Sequence, residues 1–436
     1  MGKTHTMSVT KIPGPGANVA VCRKARGFSQ VALARRAGVS VSLLSKIEVG
    51  DRALTQGIAA ALAQAMGLTL DELLGTAPIE RTDEKSLATL NYVIRRFDIP
   101  DTPPSHPEDL PRELAALNEH RYRTELSAVL RKLPGVLAGV TNYAHATQSP
   151  DAWTRVADTY SVVYWLAARH RWMHLAELAV MKQRLAAERA HPIAATVAAR
   201  DEAGAFLNSG DFAGGLAIVD RAVVEAESSL RGHDRAYGLG ILHLRGLTLA
   251  GRIKDKATAE RHIAAAWQAA EEFPEDVEDH GIHFGPENTA VHVISTASDM
   301  EDYRESLNTA DDLIRGGVTL PATRVGPLHM NISRSKLALG DRDGALESLA
   351  AAWDVAPEMA RVHPTSQELM RVLTSLHRRS NPRLTQAGQA GGRALLNYRG
   401  SSRFRRSATA WSSVLAAIWP ARRASRFGVL QAISAQ

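Results

Sequence analysis

Cysteine is almost missing from this chain. Among 436 residues only Cys22 carries a thiol, so no disulfide framework can form within one molecule, and a reducing cytoplasm is the expected setting. Cys22 falls inside a predicted helix and reads as a small apolar filler. Aromatic residues make up only 5%, which leaves alanine, leucine and valine to build the core and favours helix over sheet. No apolar run approaches the ~20 residues that span a bilayer. The polar start of the chain, with its Pro and Gly, does not read as a secretory signal. A cytoplasmic protein with no membrane partner is therefore expected. Acidic residues are absent beyond Glu368.

Reactive groups at recognisable spacing are also missing. His170-x-x-x-His174 followed by Glu177 spans a predicted turn, and His280-x-x-His283 has no matching cysteine pair, so no metal ligands are assigned. There is no His-Glu-x-x-His run, no phosphate-cradling P-loop and no nucleophile elbow. Gly14-x-Gly16 lacks a third glycine and a preceding strand. Neither a cofactor nor an enzymatic activity is expected.

What is present is a segregation of charge. Residues 1–75 hold nine Lys/Arg against four Asp/Glu, a net +5, and residues 378–436 hold eleven arginines and no acid. The middle, 76–377, carries −10. Only the two ends suit a polyanion, and an acidic centre would be repelled by a phosphate backbone.

The basic N-terminal part contains Ser29–Gly50, SQVALARRAGVSVSLLSKIEVG. Ser29 can cap a helix from Gln30 to about Ala37, and Ser40 a second from Val41 to Val49. Gly38 supplies the turn and Gly50 the stop. Leu33, Ala37, Val39, Leu44 and Ile47 fall on the inner side of the bend, and Ala34 is small where the helices cross. Two helices joined so tightly pack at a steep angle and form a helix-turn-helix. The pattern Gln30-x-x-Leu33-Ala34-x-x-x-Gly38-Val39-Ser40-x-x-x-Leu44-x-x-Ile47-Glu48-x-Gly50 resembles the Cro/lambda-repressor (XRE-type) family. Flanking helices at Asn18–Arg26, Thr55–Met66 and Leu70–Leu74 extend the likeness over about residues 15–75. The resemblance implies binding to double-stranded DNA as a homodimer. It assigns Gln30 to a phosphate while steadying the recognition helix, and places Ser40, Val41, Ser42, Ser45 and Lys46 on that helix's exposed face. It pairs Arg23 with Glu48 as a structural ion pair that orients helices and reads no bases.

The rest of the chain divides into segments. Residues 1–14 read as a flexible arm in which Pro13-Gly14-Pro15-Gly16 cannot hold regular structure; Lys3 and Lys11 could touch DNA from it. Residues 76–150 form a helical linker region: a short linker at Thr76–Arg81, an amphipathic helix over Asp83–Phe97, a loop or hinge of five prolines over 98–111, then a long helical stretch from Arg112 broken near Pro134-Gly135. Over 151–380 a repeat of helix, polar turn and alanine-rich helix emerges, with turns near Arg171, Asp211, Asp255, Asp299 and Asp341. It resembles the tetratricopeptide (TPR) family with lengthened loops. Five such units would stack into a solenoid with a concave groove, suited to a peptide or small-molecule effector. Asn288, His292, Asn331 and Arg334, on first helices of their hairpins, are groove candidates. Trp153, Tyr160, Tyr164 and Trp165 cluster on an earlier first helix, where core packing is the first reading. Residues 381–436 read as a basic, disordered tail or out-of-frame read-through. The competing reading makes Ala408–Trp419 a basic amphipathic helix.

The fold class expected is all-α, a lambda-repressor-like DNA-binding domain followed by a TPR-like α-solenoid. The function expected is sequence-specific transcriptional regulation, with the solenoid serving dimerisation or sensing. The alternative is an interaction scaffold whose helix-turn-helix only tethers it.

Overall fold

The computed structural model describes residues 14–75, 77 and 81–380. The arm with Lys3 and Lys11 and the tail from 381, with Ala408–Trp419, lie outside them. Helix dominates because alanine and leucine runs are punctuated by caps rather than by β-branched stretches. The first five helices are α1 (Pro15–Ala25), α2 (Gln30–Arg36), α3 (Val41–Val49), α4 (Gln56–Met66) and α5 (Leu70–Leu74). They close around Val19, Leu33, Leu44, Ile47, Leu62 and Leu73, all fully buried. Side-chain oxygens of Ser29, Ser40, Thr55 and Thr69 cap the last four. α1 starts earlier than the glycine- and proline-rich tract suggests. Pro15 occupies the first helical position, where its missing N–H costs nothing, and Gly16 lies so close to Arg371 and Glu368 that a Cβ would overlap both.

Next come α6 (Arg81–Arg95), a 3₁₀ turn at Pro107–Asp109, α7 (Leu110–Tyr122) and α8 (Leu126–Thr147). The break expected near Pro134-Gly135 is not there. The chain reverses instead at Thr124, whose φ is +59°, and α8 runs straight through Pro134. Losing one helical hydrogen bond at a proline is tolerable when Leu130, Leu133 and Leu137 on both sides of it are buried.

Five antiparallel pairs follow: α9 (Pro150–His170) with α10 (Met173–Ala187), α11 (Pro192–Ser209) with α12 (Phe212–Ser229), α13 (Gly232–Ile253) with α14 (Lys256–Ala270), α15 (Pro286–Asp299) with α16 (Tyr303–Gly316), and α17 (Ala322–Ala338) with α18 (Arg342–Val355). Asp211, Asp255, Asp302 and Asp341 cap the second helices of the last four pairs by accepting amides three residues on. The turn expected near Asp299 lies between Asp299 and Tyr303. The Asp299 carboxylate is itself buried, accepting from Arg252 at 2.6 Å and ion-paired with Arg334 at 2.7 Å. One departure from helix is the hairpin β1 (Val277–Asp279) and β2 (Ile282–Phe284), antiparallel with Glu278 opposite His283.

The first helices stack on one another, α9 on α11, α11 on α13, α13 on α15 and α15 on α17. After the fifth pair the repeat stops. Short α19 (Pro357–Val362) packs on α9, and α7 meets α17, so the array curls until its ends touch. α20 (Pro364–Ser380) then turns back onto α1, while α4 and α5 rest on α13 and α11. Among the described residues no helix is long and apolar enough to cross a membrane.

Candidate nucleic-acid interface

Local chemistry sets the bend between α2 and α3. The Ser29 hydroxyl accepts from Ala32 N at 3.1 Å and Ser40 from Leu43 N at 3.1 Å. Gly38 and Gly50 adopt φ of +67° and +85°, a region that favours glycine. Leu33, Ala34, Leu44 and Ile47 are buried; Ala37 and Val39 are half-buried. The opposite face of α3 is open: Ser40, Val41, Ser42 and Lys46 are exposed and Ser45 is half-buried. Arg35, Arg36 and Arg52, on the flanking segments, are exposed as well.

Behind this face lies a buried ion pair. Arg23 donates to Glu48 through Nε at 2.6 Å and Nη2 at 3.0 Å, and its Nη1 donates to Phe28 O at 2.8 Å. Gln30 Nε2 donates to Glu48 Oε2 at 2.9 Å. Burial alone would raise the Glu48 carboxyl, but the bonds from Arg23 and Gln30 outweigh it and hold it below its ordinary value. The Glu48 bond likewise raises Arg23. Three elements are thereby locked: α1 through Arg23, α2 through Gln30 and α3 through Glu48. Gln30 thus ties α2 to α3 through its side-chain amide.

Sequence reasoning did not find the contact that fixes this bundle to the array. Glu368, on α20, accepts from Gly16 N at 3.0 Å, Leu54 N at 2.9 Å and Arg371 at 2.9 and 2.6 Å. Arg371 Nη2 also donates to Ile47 O at 2.9 Å, at the end of α3. Both side chains are almost fully buried. Nearby, Arg171 donates to Gly75 O and Val362 O, and Ala77 N to His170 O. No sequence signal marks these residues, since their partners lie more than 300 positions away for Glu368 and Arg371.

The four groove candidates separate. Asn288 and His292 line one cleft together with Arg200, Arg245, His283 and Arg324. Asn288 donates to His283 O at 2.6 Å, and His292 Nδ1 lies 3.2 Å from the Thr248 hydroxyl. Arg334 is not in that cleft: it is held by Asp299 and the Ser298 hydroxyl between the fourth and fifth pairs. Asn331 is half-buried on α17 and is not among the residues of the cleft. Trp153 and Tyr160 are fully buried in the core, whereas the Trp165 ring lies under Arg121 and Arg169 at 5.7 and 5.9 Å, and Tyr164 accepts from Asn208 at 3.1 Å. His170 stacks on Trp172 and His280 bonds Asp158 at 3.0 Å. Among the described residues no three His, Cys, Asp or Glu gather as a metal site would require.

Comparison with known proteins adds to this geometry. No curated protein matches the chain. Solved structures of the PrgX/cCF10 complex and the PrgX/iCF10 complex each align at 8% identity. The first covers 77% of this chain and 92% of that one with a TM-score of 0.23, the second 79% and 90% with 0.21, a likeness too weak to bear on function. A helix-turn-helix family model matches residues 20–73, which span the capped bend, its buried ion pair and α4. The N-terminal bundle of this chain is an XRE-type helix-turn-helix domain.

Proposed function

We propose that the protein is a sequence-specific transcriptional regulator that binds double-stranded DNA as a homodimer. Its curled helical array would serve dimerisation or the sensing of a peptide or small-molecule effector. The observation that carries the reading is the two-sided character of α3. Its inner side is fixed by Arg23, Gln30 and Glu48, while Ser40, Val41, Ser42 and Lys46 face solvent beside exposed arginines. Lys46 suits a guanine edge or a phosphate, the serines suit either, and Val41 suits a thymine methyl. A two-fold dimer would set two such helices about 34 Å apart, one turn of the duplex.

The Glu368–Arg371 contact gives the array a handle on this domain, because it bonds the start of α1 and the last turn of α3 directly. A change in the curl of the array would then alter the spacing of the two recognition helices. The test is fluorescence anisotropy of the full-length protein on the DNA upstream of its own gene. A regulator with six or more phosphate contacts should lose about 10³-fold in affinity or more between ~50 and ~200 mM salt. Affinity that ignores both salt and sequence would discard the proposal.

A further inference from the structure

Inside the curl the local charge opposes the regional one. Residues 76–377 carry a net −10, yet Arg121 (α7), Arg169 (α9), Arg200 (α11), Arg245 (α13) and Arg324 (α17) come together there, close enough to act on one another's ionisation. Burial pushes the Arg324 guanidinium down to about 9, with repulsion from Arg200, Arg169, Arg121 and Arg245 adding to it. Arg245 is pushed to about 10 by burial and then by Arg200. Compensation is scant. Arg200 bonds Asp201 at 2.6 Å, and Asp201 also accepts from Gln183. Glu278 acts on Arg121 only at longer range, and Asp158 is taken by His280. Among the described residues Arg121, Arg169, Arg245 and Arg324 make no ion pair, and Arg121 Nη1 and Arg169 Nε are buried without an acceptor.

A buried guanidinium is stable when a carboxylate or phosphate fills its fork of donors, and costly when nothing does. Arg200, Arg245 and Arg324 converge on the cleft of Asn288, His283 and His292. The cleft is narrow, so an anion would enter it by displacing water and drawing the flexible arginine forks apart around itself. Burial and the nearby arginines keep His283 neutral, down to about 4, and hold His292 well below its ordinary value. Both rings can therefore offer an N–H without adding charge. Asn288 is itself almost fully buried and its Oδ1 has no partner. A neutral peptide segment would leave the guanidinia as they are.

We propose that this cleft binds a compact, multiply charged oxyanion, a phosphate- or polycarboxylate-bearing small molecule, and, resting on the regulator reading above, that such a molecule is the effector. Isothermal titration and thermal unfolding of the full-length protein in chloride buffer test it. The probes are inorganic pyrophosphate and citrate, each against sodium chloride of equal ionic strength. One saturable site per chain is expected for at least one probe, and the tighter of the two separates a phosphate source from a carboxylate one. Arg324→Gln should weaken that binding about 10- to 100-fold, the worth of a charge-assisted bond. The same variant should melt at or above wild type in chloride, because it relieves repulsion, while gaining less from the oxyanion. A merely structural Arg324 would instead lower the melting temperature equally with and without probe, and that result overturns the proposal. So does the absence of any saturable binding beyond the chloride control. DNA affinity of the same preparations is measured separately: DNA binding without oxyanion binding refutes this inference alone, and oxyanion binding without DNA binding supports it while refuting the regulator.

Discussion

Replacing Glu368 by alanine removes a carboxylate that sits between two parts of the molecule. Four hydrogen bonds end on it, from Gly16 N, Leu54 N and twice from Arg371, at 2.6 to 3.0 Å. Truncation leaves two backbone amides without their acceptor and the Arg371 guanidinium buried without its counter-charge. Breaking a buried ion pair from one side costs about 3–5 kcal/mol. The penalty has a ceiling, since the N-terminal bundle can lift off α20 and let water in. Urea denaturation of Glu368→Ala, Arg371→Ala and the double variant measures the loss. Hydrogen exchange over residues 14–55 shows whether it is global or confined to the docked bundle. The double variant should be less destabilised than the sum of the singles, with a coupling of about 1–3 kcal/mol, because it removes the stranded charge. The reasoning is refuted if Glu368→Ala lies within about 0.5 kcal/mol of wild type, as an ordinary surface change would, and exchange is unaltered.

Three other outcomes follow from the same geometry. Glu48→Gln should cost about 2–4 kcal/mol by leaving Arg23 buried and uncompensated. The wild-type contribution of Glu48, whose folded pKa is depressed, is present above about pH 4.5 and lost as pH falls below it, which denaturation of the isolated N-terminal bundle or the whole chain across pH 3–6 can follow. His280 is raised to about 9: burial lowers it, but the bond and charge of Asp158 more than offset this. Its stabilisation is therefore complete below about pH 6.5 and disappears as pH rises towards 9, by at most about 3 kcal/mol; His280→Asn should flatten that slope in thermal unfolding. Gly240→Ala sets a Cβ against the fully buried Phe284 ring and should lower stability by about 1–3 kcal/mol through overpacking, seen as a reduced melting temperature with an unchanged far-ultraviolet spectrum.

What was legible in the sequence was local. Ser29, Gly38, Ser40 and Gly50 act within four residues of themselves, so the bend could be drawn before any coordinates, and Arg23 and Glu48 followed from the resemblance. The aspartates that cap second helices, Asp211, Asp255 and Asp341, announced the hairpin turns for the same reason; near Asp299 the turn is there too, but its cap is Asp302, three residues on. Pro134 suggested a break because burial on both sides of it cannot be seen in a linear string. Distance in sequence hid the rest. Glu368 and Arg371 find their partners across more than 300 residues, and the five arginines of the interior are spread over 121–324 in a stretch whose net charge is negative. Summed charge describes what a region presents on average, not what a curled array gathers at its centre.

The central claim is that the outer face of α3 enters the major groove. Dimethyl sulfate reports on guanine N7 in that groove. Probing the protein's own upstream DNA with the full-length chain should reveal two protected clusters about one helical turn apart, with protection weakened by Lys46→Ala at the guanine it meets. Tight binding that leaves every guanine N7 as reactive as in free DNA would contradict it.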